Sequence, residues 1–372
     1  MKKIGTITFH SSYNYGSNLQ AYALQEYVKK LYNGECDYKI INLRTNIQKE
    51  MYKNIFQKRG VKNHIKRLFY LKHKKALLKK EEYYEKFINE KLNITKEYAS
   101  LEELKKENFD FDYYISGSDQ LWNLQARDFD WANYLEFVHG VKKISYAASW
   151  GPKPQTWNDS EKERAKKDLL EYKSISVREE GSFNNVKELL GIEASINVDP
   201  TMLLNKEDWN KIIDDMPLYK GKYIFLYNLK GDNEIIKLAK IISRKLKLPV
   251  VVSLPGRKLE MIYGFKRKFD VGPVEFLNLI KNAELVLSSS FHGTIFSILL
   301  QKPFFALKGA KDFRISTLLK KMDLQNRTID LEDCEEKIKN AFDIDFSNSY
   351  GLLNEEREKS KKFLKKALEI DN

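Results

Sequence analysis

Glu284-Leu285-Val286-Leu287-Ser288-Ser289-Ser290-Phe291-His292-Gly293-Thr294-Ile295-Phe296-Ser297-Ile298-Leu299-Leu300 reads as a short buried strand, a polar break and a helix from about Thr294. The break holds three serines, a histidine and a glycine. Hydrogen-bond donors therefore sit where a parallel strand ends and a helix begins, the place where α/β proteins gather anions. A second stretch repeats the design. Asp110-Phe111-Asp112-Tyr113-Tyr114-Ile115 reads as a strand, and Ser116-Gly117-Ser118-Asp119-Gln120-Leu121-Trp122-Asn123 follows it, with glycine allowing a tight turn and Asp119 suited to cap a helix. Two such breaks are expected to form two walls of one cleft.

Outward from these stretches, strand-like and helical runs alternate. Ile4–Phe9 is followed by a helix from about Leu19 to Leu31 and then Tyr38–Leu43; further strands are expected at Lys143–Ala147, Ser174–Val177 and Ser195–Val198. After Asp199-Pro200, read as an interdomain joint, come Tyr223–Tyr227, a helix near Glu234–Leu246, Pro249–Ser253, a helix near Val274–Lys281, the opening stretch, and Phe304–Leu307. Such alternation predicts α/β architecture: two Rossmann-like domains with parallel sheets covered by helices. The expected divisions are 1–200, with a basic helical insertion near 50–92, then 201–350. A final helix over 351–372 carries Phe363, Leu364, Ala367 and Leu368 on one stripe and is expected to pack back on the first domain.

Composition narrows the function. A chain of 372 residues suits two domains, and its 42% apolar content can build their cores. No run approaches the roughly 20 apolar residues that cross a bilayer, and Met1–Phe9 reads as a first strand rather than a leader, so a cytoplasmic protein is expected. Cys36 and Cys334 match no zinc or redox spacing, and the five histidines show no ligand spacing. Metal-independent chemistry without a cofactor is expected.

The net charge of +13 is uneven, because Lys53 to Lys80 contains eleven Lys or Arg and no Asp or Glu. With Ile65, Leu68, Phe69 and Leu71 among the charges, 53–80 reads either as a basic helix for an anionic membrane face or an acidic polymer, or as a solvated helix balanced by Glu81, Glu82 and Glu85. No nucleic-acid recognition module accompanies it, and no nucleic-acid partner is expected.

Three further motifs carry chemistry. His10-Ser11-Ser12-Tyr13-Asn14-Tyr15-Gly16-Ser17-Asn18-Leu19-Gln20 is a long polar loop before a helix; it lacks both the dinucleotide fingerprint and the P-loop ending, so neither NAD nor ATP is implied. It contacts a ligand or simply caps the helix. Arg178 follows the strand-like Ser174–Val177 at an edge where open sheets bind ligands, and its planar fork suits a carboxylate or phosphate; the alternative is a structural pair with Glu179 or Asp199. The serines before His292 form no Gly-x-Ser-x-Gly elbow, and His292 itself reads as a catalytic or ligand-binding residue; the alternative is a histidine satisfied within a core.

Read together, Asn14-Tyr15-Gly16-Ser17-Asn18-Leu19-Gln20-Ala21-Tyr22-Ala23-Leu24, Gly117–Asn123, Ser176-Val177-Arg178-Glu179, Asp199-Pro200 and Ser290-Phe291-His292-Gly293-Thr294 resemble the polysaccharide pyruvyl transferase family over nearly the whole chain. The resemblance implies a GT-B-like pair of domains, phosphoenolpyruvate as co-substrate, and a cell-surface polysaccharide or its lipid-linked precursor as acceptor. The family's Arg-aromatic/aliphatic-His motif, which binds phosphoenolpyruvate, falls on Ser290, Phe291 and His292, and its second arginine on Arg178. Ser290 departs from that pattern, and Lys308, Lys311 and Arg314 are candidates to supply the missing charge.

On this reading His292 is the catalytic acid and Asp119 a candidate base. Arg178, Ser289, Ser290, Phe291, Gly293, Thr294, Lys308 and Arg314 bind the donor. Asn14, Tyr15, Gly16, Ser17, Asn18, Gln20, Ser118, Gln120 and Trp122 form the acceptor or cleft loops. Alternatives are a GT-B glycosyltransferase using a nucleotide sugar, and a glycan-binding relative without catalysis. The expected site of action is the inner face of the cell membrane.

Overall fold

The computed structural model describes residues 1–52, 71–254, 258–307 and 312–370. Six parallel strands form the first sheet: β1 (Lys2–Ile7), β2 (Cys36–Leu43), β3 (Ile94–Tyr98), β4 (Tyr113–Ser116), β5 (Lys142–Ser145) and β6 (Tyr172–Ser174), in the order β3-β2-β1-β4-β5-β6. A two-stranded pair, β7 (Ser176–Val177) and β8 (Ser195–Ile196), lies beyond β6 in sequence. The second six-stranded parallel sheet repeats the first order with β9 (Ile224–Tyr227), β10 (Val250–Val252), β11 (Lys266–Arg267), β12 (Leu285–Ser288), β13 (Phe304–Leu307) and β14 (Thr328–Ile329), arranged β11-β10-β9-β12-β13-β14. In each sheet the strand order reverses once, between β1 and β4 and between β9 and β12, and open sheets bind ligands beyond the strand ends at such points.

The chain divides into two compact units: Met1–Arg59, Lys86–Leu204 and Glu355–Asn372 in one, and Asn205–Asn354 with the described residues of Gly60–Glu85 in the other. The division therefore falls after Leu204 rather than at Asp199-Pro200. The reason is local: the Asp199 carboxylate accepts bonds from Thr201 N (3.0 Å) and Oγ1 (2.7 Å), folding Pro200–Met202 into a buried turn of the first unit. The described end of the basic stretch, 71–80, lies with the second unit; 53–70 is outside the described residues.

Strand sequences explain the layering. β4, β9 and β12 are buried along their whole length, as strands covered on both faces must be, and they read as unbroken apolar runs closed by a polar residue. Helices cover them. Asn233–Leu246 lays Ile235, Ile236, Leu238, Ala239 and Ile242 onto the second sheet's core, while the first core is aromatic, with Trp122 packed 4.7 Å from Trp150 and 5.5 Å from Tyr134 between ring centroids.

The last helix runs Ser347–Ala367, and from Glu355 onward it belongs to the first unit. Leu364, Ala367 and Leu368 are buried, the Phe363 ring meets Tyr146, Arg357 Nη2 donates to Leu204 O at 2.9 Å, and Tyr113 Oη donates to Glu369 Oε2 at 2.8 Å. The expected packing back on the first domain is present. No helix among the described residues is long and apolar enough to cross a membrane.

One buried carboxyl makes stability depend on pH. Asp168, on the helix Asp159–Leu170, is 5% exposed, and its Oδ2 has no hydrogen-bond partner among the described residues. Burial, reinforced by Glu136, pushes its pKa up to about 6. The folded state thus holds the proton more tightly than the unfolded chain, so the contribution is present below about pH 4 and lost as pH rises through about 6. Asp168→Asn is expected to raise stability by about 2 kcal/mol at pH 7 and by nothing at pH 3.5. Denaturant unfolding of both proteins at the two pH values checks this, and an equal difference at both would contradict it.

Candidate active site

In the second unit the register pairs Tyr227 with Ser288, so β9 and β12 release their loops at the same level. Ser289 N donates to Tyr227 O at 3.1 Å, and Leu229 N donates to Ser289 Oγ at 3.3 Å, which ties the two loops together. Ser290 takes extended backbone and is the N-cap residue, and the helix runs Phe291–Leu299, three residues earlier than the sequence suggests. His292 therefore stands in the first helical turn, among the N–H groups that no earlier carbonyl can satisfy. The serines shape the turn: Ser290 N donates to Ser288 Oγ at 3.1 Å, and Ser288 Oγ donates to Ser290 O at 3.2 Å. Gly293 is required here, because a Cβ would meet Ser288 Oγ and approach the Tyr227 ring to 3.0 Å. That lets the helix start sit against the strand ends.

His292 is half-buried, its ring packed edge-on to Phe291 at 5.6 Å between centroids. The Arg314 guanidinium lies 5.7 Å from the Phe291 ring and is held in a fork by Asp312, with Nε to Oδ1 at 3.1 Å and Nη2 to Oδ2 at 2.8 Å. A cation thus stands beside the histidine's helix turn, partly neutralised by its own carboxylate. Thr294 is fully buried and spends its hydroxyl on Ser290 O (3.1 Å), so it builds the turn from within. Lys308 and Lys311 lie outside the described residues.

In the first unit Ile7 pairs with Ser116, and the loops after β1 and β4 likewise start level. Asn14 caps the helix Tyr15–Leu31, accepting from Gly16 N at 3.0 Å. Gln20 fastens the loop: its Nε2 donates to Thr8 Oγ1 (2.8 Å), Phe9 O (3.1 Å) and Ser17 O (2.9 Å), while Oε1 accepts from Ser118 N (3.2 Å). Asn18 Nδ2 donates to His10 O at 2.6 Å and Ser12 O at 3.1 Å. After β4, Gly117 has φ +138°, and a Cβ there would collide with Tyr146 O.

Several expected ligand-contacting side chains are scaffold instead. Tyr15, Asn18, Gln20 and Ser118 are buried, the last donating to Ala147 O at 2.8 Å. Trp122 is 0% exposed, its indole N–H bonded to Ser116 Oγ at 3.1 Å, because the aromatic core claims the ring. Asp119 caps no helix: it has φ +70°, and irregular turns follow it. Asn14 and Gln120 are half-buried at the loop surface.

Arg178 and Asp119 do meet. The guanidinium, 2% exposed, donates through Nη1 to Asp199 Oδ2 at 2.9 Å and through Nε to Glu179 Oε2 at 3.2 Å, and lies 3.7 Å from Asp119 Oδ1. Arg178 is thus in a structural pairing with Glu179 and Asp199. Burial alone would lower the Arg178 pKa; Glu179, Asp199 and Asp119 together push it up. Three carboxylates already face this guanidinium, an environment that disfavours a further anion. Asp119 also accepts from Ser17 Oγ (2.8 Å) and Gln120 N (2.9 Å), so its oxygens are occupied.

Sequence reading missed Ser149 and Ser182, whose hydroxyls both donate to Glu179 Oε1 at 2.5 Å. The spacing Glu179-x-x-Ser182 is a local signal, since three residues span one helical turn. Ser149 gave none.

A search of curated proteins found no match. Among solved structures, the UDP-N-acetylglucosamine 2-epimerase of Rickettsia bellii is similar at TM-score 0.58 and 14% identity, over 100% of this chain and 97% of that one. The S. aureus MnaA–UDP complex is similar at TM-score 0.52 and 13% identity, over 100% and 98%. These likenesses show the fold, which is GT-B-like. A family model of polysaccharide pyruvyl transferases matches residues 14–309, a span that takes in β2 through β13 and the Ser290-Phe291-His292-Gly293 turn, and by that extent the chain belongs to the polysaccharide pyruvyl transferase family.

Proposed function

We propose that the protein moves the pyruvyl group of phosphoenolpyruvate onto a sugar of a cell-surface polysaccharide or its lipid-linked precursor, releasing phosphate. The observation that carries this is His292 in the first turn of the helix that follows β12, in a chain of this family. The methylene carbon of the enol phosphate takes a proton, positive charge grows at the neighbouring carbon, and a sugar hydroxyl bonds there as it gives up its own proton. A second hydroxyl of the same sugar then closes the ketal as the C–O bond to phosphate breaks, its proton leaving with the phosphate. His292 is assigned the proton delivered to carbon, because imidazole is a proton-transferring group by type and stands in the helix turn to which the donor's anionic groups are assigned.

The donor's carboxylate and phosphate are assigned to the helix N–H groups, the Ser289 and Ser290 hydroxyls and the charge of Arg314. This division leaves Arg178 outside donor binding. Its buried ion network is assigned instead to holding Asp119 and the β4 loop in place. Incubation with phosphoenolpyruvate and a panel of glycans and lipid-linked sugars is expected to release phosphate in step with a product heavier by a pyruvate ketal. Silence across the whole panel would count heavily against the assignment.

A second reading, a glycosyltransferase using a nucleotide sugar, is favoured by one observation: Ser290 stands where the family has arginine. Titration calorimetry separates the two, since binding of UDP-sugars without binding of phosphoenolpyruvate supports only the second. Under either reading the enzyme is assigned to the cytoplasmic membrane face, where the stretch 53–80 would meet anionic lipid.

A further inference from the structure

Three segments of the first unit meet beside the C-terminal ends of β1 and β4. The loop after β1 contributes Ser12 and Tyr13. The helix Asn46–Tyr52, which follows β2, contributes its last residue; Thr45 and Gln48 fix its start as a capping box, with Gln48 N to Thr45 Oγ1 at 3.2 Å and Thr45 N to Gln48 Oε1 at 3.1 Å. The turns after β4 contribute Asp128. The Tyr13 and Tyr52 rings are 5.8 Å apart and tilted by 35°, and Tyr52 Oη donates to Asp128 Oδ2 at 3.4 Å. All three side chains are half-buried, with rings and carboxyl reaching the surface of one place.

We propose that Tyr13, Tyr52 and Asp128 seat a neutral pyranose ring of the acceptor glycan. The word acceptor rests on the transferase reading; the seat itself rests on this geometry. A pyranose has an apolar C–H face and a rim of hydroxyls. An aromatic face takes the first at little entropic cost, and a carboxyl oxygen takes the second. Charge sets the specificity. Asp128 stands near Asp119, whose charge adds to burial in raising the Asp128 pKa, and further negative charge is unwelcome there. Uronic acids and the phosphates of nucleotides are therefore disfavoured, while a neutral sugar adds hydroxyl donors to a carboxyl that already accepts from Tyr52. A tyrosine pair alone could be loop packing. The convergence of an acid from a third segment on the Tyr52 hydroxyl supplies the polar half of a sugar site.

The test uses the full chain without phosphoenolpyruvate. Saturation-transfer NMR is run with the methyl glycosides of glucose, galactose, mannose and N-acetylmannosamine, with methyl glucuronide as the acidic control. At least one neutral glycoside is expected to bind, and the glucuronide is not. Tyr13→Ala and Asp128→Asn are each expected to weaken that binding at least about tenfold, Tyr13→Phe to keep it, and His292→Ala to leave it unchanged. Binding that survives equally in folded Tyr13→Ala and Asp128→Asn proteins, tighter binding of the glucuronide, or no neutral glycoside bound by the wild type would each overturn the seat. Glycoside binding as expected, with no pyruvyl transfer from any donor preparation, would refute the transferase reading and keep the seat.

Discussion

Arg178→Met is expected to destabilise the first unit by about 3–5 kcal/mol, because it removes a buried cation that faces three carboxylates. The substitution keeps much of the aliphatic stem and loses the charge. Asp199, Glu179 and Asp119 then lose the guanidinium they share, and the turn at Pro200–Met202, the start of the helix Glu180–Leu190 and the loop after β4 loosen together. Lysine is expected to restore only part of the loss, since a single ammonium cannot reproduce the forked contacts. Equilibrium denaturation measures it. A stability within about 1 kcal/mol of wild type would show that these ion contacts are dispensable.

His292→Ala is expected to show the opposite profile: unchanged stability and turnover lowered by roughly 100-fold or more, as for loss of a general acid. The ring is half-buried at a helix start and holds no core in place, so folding should not notice its removal. Steady-state kinetics with phosphoenolpyruvate and an accepted glycan reads the first quantity, and thermal unfolding the second. Undiminished turnover would take the chemistry away from this imidazole.

Much of this fold could be read in advance. Strands buried on both faces appear as apolar runs, and β4, β9 and β12 were recognisable for that reason. The break around His292 is also recognisable as a strand end meeting a helix start, although the pattern points to Thr294 and the helix starts at Phe291. Serine at the N-cap is the usual signature, and the glycine two residues into the helix concealed it.

Long-range convergence was not readable. Arg178 touches partners 59 residues earlier and 21 later, so whether it meets a ligand or a carboxylate depends on loops that local pattern leaves unplaced. Trp122 illustrates the same gap. It sits in a polar block that reads as a ligand loop, yet Trp150 and Tyr134 enclose it. Tyr52 needed Asp128, 76 residues away, before it meant anything.

The first unit is discontinuous, and this has a bearing on how the protein is made. Leu364, Ala367 and Leu368 complete a body whose first strand is Lys2–Ile7. A nascent polypeptide leaving the ribosome must therefore keep that body unfinished throughout translation of Asn205–Asn354, with the apolar patch awaiting Leu364 and its neighbours exposed to chaperones in the meantime.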